Sequence, residues 1–153
     1  MRHSLHYSMV LPLPLQEVFD FFADVTNLQR ITPPELNFSI VTPLPLLMQA
    51  GTIIDFRLSL LGVPFGWQTE ISAWEPPHMF VDRQIKGPYA EWIHKHTFSS
   101  AEDGRTVMED DVTYSLPSLP LGELAQPLVR KQLERIFTYR RETILKLLKK
   151  RTA

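Results

Sequence analysis

The sequence predicts an α+β fold in which a curved antiparallel sheet of about seven strands wraps around one long C-terminal helix. Apolar side chains recur every three to four positions from Leu121 to Arg151, which is typical of an amphipathic helix of about 24 to 30 residues. Short segments before this helix alternate apolar and polar residues, as half-buried strands do. Turn residues separate these segments closely, so we expect successive strands to pair antiparallel.

Length and composition exclude several classes of protein. The 153 residues match the length of one domain, so we expect residues 1–153 to form a single domain. The chain has 16 Lys+Arg against 17 Asp+Glu, and this balance does not favour a nucleic-acid partner. Cysteine is absent, which excludes disulfides and thiolate chemistry and suits a cytoplasmic protein. We expect no signal peptide, because Met1 to Leu15 lacks a continuous apolar core with a small-residue cleavage site. We also expect no stable membrane insertion, because no apolar run reaches about 18 residues.

The first half of the chain predicts one strand, two helices and a strand. Residues 3–11 alternate and form the first strand. Pro14 suits the first turn of a helix that breaks near Asp24, and residues 27–31 form a second short helix before two prolines. Residues 37–41 form a short strand. The apolar loop Pro43–Met48 that follows suits a lid, a dimer contact or packed core, and the sequence leaves the oligomeric state open.

Five further strands are predicted before the last helix. They cover residues 54–60, 67–73, 80–85, 91–98 and 107–114, and Leu61–Gly66 is the hairpin connection between the first two. Trp67, Thr69, Ile71 and Ala73 share one face by the two-residue alternation. In the last helix, Pro127 either kinks the first turns or marks the true start. Its basic end, with Lys146, Lys149, Lys150 and Arg151, complements the helix dipole, and a lipid surface is a second reading.

Two histidines on one strand are the residues best suited to chemistry. His94 and His96 point to the same face. If the turn at 102–104 sets the pairing, His94 lies opposite Asp110, His96 opposite Met108 and Trp92 opposite Val112, with a two-residue slip as the alternative. A carboxylate beside an imidazole orients it and raises its basicity. The pair therefore suits a structural hydrogen bond, a polar anchor for a ligand, or a general acid/base.

A zinc site is the other chemistry open to these histidines. Asp110 or Glu91 would be the third ligand, but Glu91 lies on the opposite face of the strand. We therefore expect no metal, and no motif predicts a cofactor, phosphoryl transfer or serine hydrolysis.

Other polar side chains have two readings each. Asp82 either joins the histidine cluster or pairs with Arg83 and Arg57 on the outer face. Arg140 either reaches inward to Asp110 or a ligand anion, or extends along the edge of the apolar stripe.

Several motifs together resemble a known superfamily. They are Trp67 to Trp74 with Pro76-Pro77, Phe80-x-Asp82, Gly87-Pro88, Trp92-x-His94-x-His96-x-Phe98, Asp110-x-Val112-x-Tyr114-x-x-Pro117, and Leu133 to Phe137 with Tyr139-Arg140-Arg141. The chain resembles, over its whole length, the START-like (SRPBCC, helix-grip) superfamily of polyketide cyclase/dehydrase and lipid-transport proteins, in a bacterial ligand-binding branch. The resemblance implies an apolar cavity between the sheet and the last helix. It also implies a mouth at the loops 61–66, 86–89 and 116–121.

The resemblance implies two main functions. The first is binding of a hydrophobic small molecule such as a lipid, polyketide or quinone. The expected ligand-binding residues are Trp67, Phe80, Asp82, Trp92, His96, Tyr114, Phe137 and Arg140. The alternative is a cyclase/dehydratase-type enzyme in which His94 and Asp110 are the catalytic acid/base pair. A carrier or partner-interaction domain with a mostly filled cavity is a third hypothesis.

Overall fold

A computed structural model describes the backbone of residues 1–152 and the side chains of residues 1–149. Its strands are β1 (His3–Leu11), β2 (Ser39–Ile40), β3 (Ile53–Leu60), β4 (Val63–Glu75), β5 (Met79–Lys86), β6 (Glu91–Ser100) and β7 (Thr106–Ser115). Its α-helices are α1 (Leu15–Ala23), α2 (Val25–Arg30) and α3 (Gln126–Thr152), and short 3₁₀ turns cover Pro34–Leu36 and Gly122–Ala125. The side chains of Lys150 and Arg151, two members of the predicted basic end, lie outside the described residues.

The seven strands form one sheet in the order β1-β7-β6-β5-β4-β3-β2, and every neighbouring pair is antiparallel. The sheet curves around α3, which confirms the predicted fold class. β1 lies beside β7, so the first and last strands are neighbours in the sheet. Side chains of α1 pack against the sheet in the same group as Phe80 and Phe98. In the described part of the chain, no helix is long and apolar enough to cross a membrane.

The long helix begins later than the apolar repeat predicts. Residues 122–125 form a 3₁₀ turn, and α3 starts at Gln126 with Pro127 in its first turn. Pro127 has no N–H to donate to a preceding turn, so an α-helix running through it from Leu121 would lack a bond there. Leu121 and Leu124 are accordingly exposed, and the buried stripe starts at Leu133. Pro127 thus marks the true start of the helix.

Two local features of β4 differ from the prediction. The β3–β4 connection is only two residues long, because Leu61 (φ 53°) and Gly62 (φ 80°) both adopt positive φ and Leu60 pairs directly with Val63. Such a turn matches the twist of a tight hairpin. The predicted connection of residues 61–66 is therefore too long, and β4 begins at Val63.

A β-bulge then changes which residues of β4 face inward. Ile71 pairs with Asp82, but Ala73 pairs with Val81, so Ser72 is an extra residue in the ladder. The bulge shifts the alternation by one position. Trp74 therefore lies on the inner face opposite Phe80, and the prediction that Ala73 continues the face of Ile71 is wrong.

The side chains between sheet and helix form two groups. Phe19, Phe80, Phe98, Met108, Ile144 and Leu148 belong to one group, in which aromatic and aliphatic side chains pack near α1. Ile54, Phe56, Leu58, Ile71, Trp92, Leu133 and Ile136 belong to the other, which surrounds a void. The functional candidates lie where these two groups meet.

Candidate functional site

A cavity of about 160 Å³ lies between the sheet and α3. Its walls are mostly apolar, with side chains from β3, β4 and α3 that include Ile54, Phe56, Leu58, Leu133 and Ile136. Trp67, Phe80, Trp92 and Phe137, four of the predicted ligand-binding residues, also line it. Tyr114 does not. Its side chain is fully buried in the core, and its hydroxyl lies 3.3 Å from Gln126 Nε2.

The entrance side of this cavity differs from the expectation. Of the three loops expected at the mouth, only residues 86–89 contribute, through Tyr89, and neither 61–66 nor 116–121 lines the cavity. Residues of α1, α2 and the following 3₁₀ turn cover it instead, together with Met48 from the apolar loop. Among the described lining side chains, Asp24 alone is exposed. The cavity therefore approaches the surface at the α1–α2 junction.

A buried polar cluster forms one end of the cavity wall. His94 Nε2 lies 2.6 Å from Asp110 Oδ1, and His96 Nε2 lies 2.8 Å from Asp82 Oδ2. The two imidazole rings stack with centroids 3.8 Å apart. His96 Nδ1 also approaches Asp110 Oδ1 at 3.2 Å, but without the alignment of a hydrogen bond. The result is a continuous chain of contacts across three neighbouring strands, β5, β6 and β7.

The strand register brings a different pair face to face than predicted. The paired residues are His94 with Val112, His96 with Asp110 and Trp92 with Tyr114. This is the two-residue slip, and its cause is the turn. The Ala101 N–H donates to the Arg105 carbonyl at 2.8 Å, and Gly104 has a φ of 78°. The hydrogen bond between His94 and Asp110 nevertheless forms, on the diagonal of the ladder.

The cluster separates the pKa values of its members. Burial alone would raise the pKa of Asp110, but its contacts with the imidazoles of His94 and His96 outweigh burial and hold that pKa well below its ordinary value. Burial would likewise raise the pKa of Asp82, but the hydrogen bond from His96 outweighs burial and lowers that pKa. Both carboxyl groups are therefore ionised near neutral pH.

The two imidazoles shift in opposite directions. Burial, reinforced by the neighbouring His96, lowers the pKa of His94. Burial also acts against a charged His96, but its contacts with Asp110 and Asp82 prevail and raise its pKa. The two shifts thus favour the protonated form of His96 and the neutral form of His94.

Arg140 points inward from α3, which decides between its two sequence readings. Its guanidinium carbon lies 5.1 Å from the centre of the Phe137 ring. Its Nε is buried and, among the described residues, has no hydrogen-bond partner. Burial lowers its pKa, although the charges of Asp110 and Asp82 oppose this effect.

A second cavity of about 300 Å³ lies on the other side of the cluster, between β1, β7 and α3. Asp110 lines this second cavity, whereas Asp82, His94 and His96 line the first. Phe137 and Arg140 line both. The polar cluster therefore lies in the wall between two cavities.

Comparison with known proteins assigns the chain to a family. Residues 11–137 match the family described as polyketide cyclase / dehydrase and lipid transport. The chain belongs to this family. No curated protein shows significant similarity to it.

Solved structures share the fold of this polyketide cyclase/dehydrase family member. The Zhui aromatase/cyclase from Streptomyces sp. R1128 aligns with a TM-score of 0.81 at 15% identity, covering 100% of this chain and 97% of its own. The protein TTHA0849 from Thermus thermophilus aligns with a TM-score of 0.75 at 16% identity, covering 99% of this chain and 100% of its own. A START superfamily protein from Mycobacterium smegmatis aligns with a TM-score of 0.67 at 12% identity, covering 97% and 98% respectively. At these identities the likeness establishes the fold alone.

The cluster of this family member also has the donor atoms of a metal site. Asp82, His94 and His96 each offer one ligand atom, and these atoms lie within 4.8 Å of one another. Nitrogen and carboxylate donors of this kind suit zinc. Asp82, rather than Glu91, supplies the carboxylate of this group, and Glu91 pairs with Arg2 near the surface.

Sequence reasoning missed most of the cavity wall supplied by α1 and α2. Phe21, Val25 and Leu28 line the cavity from these helices, and Ile31 lines it directly after α2. Their helical spacing was visible, but spacing identifies a buried face without showing whether it meets packed side chains or a void. Thr69 was also missed. Its hydroxyl donates to the Arg83 carbonyl at 3.1 Å, so it adds little free polarity to the wall.

Proposed function

We propose that this protein binds a compact, largely apolar small molecule in the cavity between the sheet and α3. The observation that supports this most is the cavity itself: apolar walls with one polar corner formed by His94, His96 and Asp82. Ligand sites commonly have this construction, because apolar area supplies affinity and a few fixed polar groups supply orientation.

The cavity volume narrows the class of ligand. At about 160 Å³ it lies below the roughly 300–1,000 Å³ of pockets that hold drug-sized compounds. A compact aromatic or polyketide-like molecule suits this space better than a long acyl chain or a polyprenyl quinone. Trp67 and Trp92 offer flat faces beside it, with ring centroids 5.4 Å apart in an edge-to-face arrangement.

A cyclase/dehydratase-type reaction is the second candidate, and the state of His94 favours it. Burial lowers the pKa of this imidazole, which favours its neutral form, and the ring lines the cavity and is oriented by Asp110 through a 2.6 Å hydrogen bond. A base of this kind takes a proton from the carbon beside a carbonyl, and the resulting enolate attacks a second carbonyl of the same molecule. The alkoxide that forms recovers the proton, and loss of water then completes a dehydration.

Native mass spectrometry of the purified protein tests the binding proposal, followed by organic extraction and identification of what was bound. We expect a compact apolar compound. As a direct check, the same compound added back should change the fluorescence of Trp67 and Trp92, which line the cavity. A protein that retains nothing, and that binds no compact aromatic compound added to it, contradicts the proposal.

Conversion of the identified compound by wild-type and His94→Gln protein separates binding from catalysis. If the protein is an enzyme, the substitution should abolish turnover and leave binding within a few fold. His78→Gln is a matched control, because His78 lies in the β4–β5 turn, away from the cavity. Turnover that survives in His94→Gln would show that the acid/base assignment is wrong.

A further inference from the structure

Arg140 is the one member of the site whose role the imidazole–carboxylate contacts leave open. Asp110 pairs with His94 and Asp82 pairs with His96, at 2.6 and 2.8 Å. Arg140 lines the same cavity, yet among the described residues no carboxylate oxygen lies within 4.0 Å of its guanidinium, and its buried Nε lacks an acceptor. A buried cationic donor without an acceptor is costly, so its presence calls for an explanation.

The surroundings of Arg140 hold the guanidinium ready for an acceptor. The Phe137 ring lies 5.1 Å from its central carbon, and this contact restricts the side chain without using its N–H groups. A planar guanidinium offers two parallel N–H donors that fit a carboxylate. The cavity is where such an acceptor would enter, because Arg140 lines it together with apolar side chains.

We infer that the ligand of the main cavity is an organic acid, with a compact aromatic or aliphatic body against the apolar walls and its carboxylate on Arg140. This inference rests on the proposed binding function and names the chemical class of its ligand.

The two carboxylates near Arg140, those of Asp82 and Asp110, do not prevent an anion from binding beside it. Each already accepts a hydrogen bond from an imidazole, so neither presents its full charge to the cavity. The groups that face this region are Tyr7 from β1, Asp82 from β5, His94 and His96 from β6, Asp110 from β7 and Arg140 from α3. Each carboxylate in this set has an imidazole partner, whereas the buried Nε of Arg140 has no acceptor among the described residues, so Arg140 is the group available to an incoming anion.

A matched pair of probes tests the inference: 2-naphthoate and 2-naphthamide, which have nearly the same shape and differ in charge. Their binding to the full-length protein is measured by isothermal titration calorimetry. We expect wild-type protein to bind the acid about ten- to a hundredfold more tightly than the amide, as a charge-assisted contact would provide. Arg140→Gln should bring the two affinities together while leaving the amide affinity within about twofold, and amide binding also reports that the variant is folded.

Arg141→Gln is the control, because Arg141 neighbours Arg140 and lines only the second cavity. It should leave the preference for the acid unchanged. An equal loss in this variant would place the acid in the second cavity and overturn the assignment. If Arg140→Gln does not fold, Arg140→Lys replaces it. Lysine keeps the charge without the planar fork, so the ratio should fall below that of wild type, and an unchanged ratio would refute the two-point contact.

The remaining outcomes separate the two proposals. Equal binding of acid and amide by wild-type protein, or an acid preference that Arg140→Gln retains, overturns the acid-ligand inference and leaves the binding function standing. Binding of neither compound to wild-type protein contradicts the binding function for ligands of this size.

Discussion

The two ends of the space between the sheet and α3 contain similar residues, but one end is packed and the other contains a cavity. At the closed end, Phe19 packs edge-on against Trp74, Phe80 and Phe98, with ring centroids 5.3 to 6.0 Å apart. At the cavity end, Phe56 contacts the ring of Phe38 at 4.9 Å and also lines the void. Phenylalanine content therefore does not determine whether such a space is filled.

The two ends differ in which secondary-structure elements supply the aromatic rings. Phe19 enters from α1 into a ring cluster that β4, β5 and β6 supply, so rings from several elements interlock. The rings at the other end remain on the periphery of the cavity. His96 lies at the boundary, stacked 4.1 Å from Phe80. The histidine cluster thus has a rigid support on one side and open space on the other, which suits groups that must hold a fixed orientation.

The comparison predicts its largest effect for a single phenylalanine at each end. Phe19→Ala should lower the free energy of unfolding by about 3–5 kcal/mol, because the buried ring loses contacts on all sides. The loss for Phe56→Ala should be smaller than that for Phe19→Ala by about 1–2 kcal/mol, since part of the Phe56 surface already faces a void. Urea denaturation of both variants provides the measurement. Equal losses would mean that the cavity end is as tightly packed as the closed end.

Breaking the polar boundary should have the next largest effect. Asp110→Asn removes a buried charge that accepts hydrogen bonds from an imidazole, and we expect a loss of about 1.5–3 kcal/mol in the free energy of unfolding. Asp111→Asn is the matched control, because the neighbouring Asp111 pairs with His6 at the exposed surface. Its loss should stay within about 0.5 kcal/mol. Similar losses in both variants would contradict a special role for the buried pair.

The opposite pKa shifts of the two histidines predict opposite dependences on pH. Because the folded-state pKa of His96 is raised above 6.5, its contribution is fully present below pH 6.5 and is lost as pH rises through the folded-state pKa. Because the folded-state pKa of His94 is lowered below 6.5, stability falls as pH drops from 6.5 towards that pKa. Each slope is at most about 1.4 kcal/mol per pH unit.

Single substitutions separate the two slopes. His96→Gln should remove the His96 contribution to the decline in stability above pH 6.5, and His94→Gln should remove the His94 contribution to the decline below pH 6.5. Urea denaturation across a pH series measures both. If the two variants lose the same limb of the profile, the assignment of the proton to His96 is wrong.

The smallest expected effect is spectroscopic. Trp67 lines the cavity, whereas Trp74 lies in the filled end. Under the proposed function, Trp67→Phe should reduce the change in fluorescence that 2-naphthamide produces, and Trp74→Phe should leave that change intact. A signal that depends on Trp74 would place the probe outside the cavity.

Alternation and periodicity predicted the fold, because each strand and helix shows its buried face in its own residues. The strand register was harder to predict. The turn after β6 determines it through the backbone conformation of Gly104, and a shift of two residues keeps every side chain on its predicted face. For that reason, the contact between His94 and Asp110 could be predicted although the register was wrong.

Other features depend on information that no local pattern contains. The extra residue at Ser72 follows from pairing with β5, and it moves Trp74 to the inner face. The inward direction of Arg140 depends on the space that the sheet leaves beside α3, and a helical stripe shows only that the residue lies near its edge. These are properties of the assembled molecule.

Phe137 separates part of the main cavity from the second cavity. Its ring borders both cavities and stacks 4.7 Å from Tyr7. Shortening that side chain would remove part of the boundary between the volumes of about 160 and 300 Å³, which Arg140 also borders. The same change would also remove the ring that contacts His94 at 5.6 Å and the guanidinium of Arg140 at 5.1 Å. The space between the sheet and α3 can therefore change in size, and with it the ligands that it admits, through substitution of a single side chain.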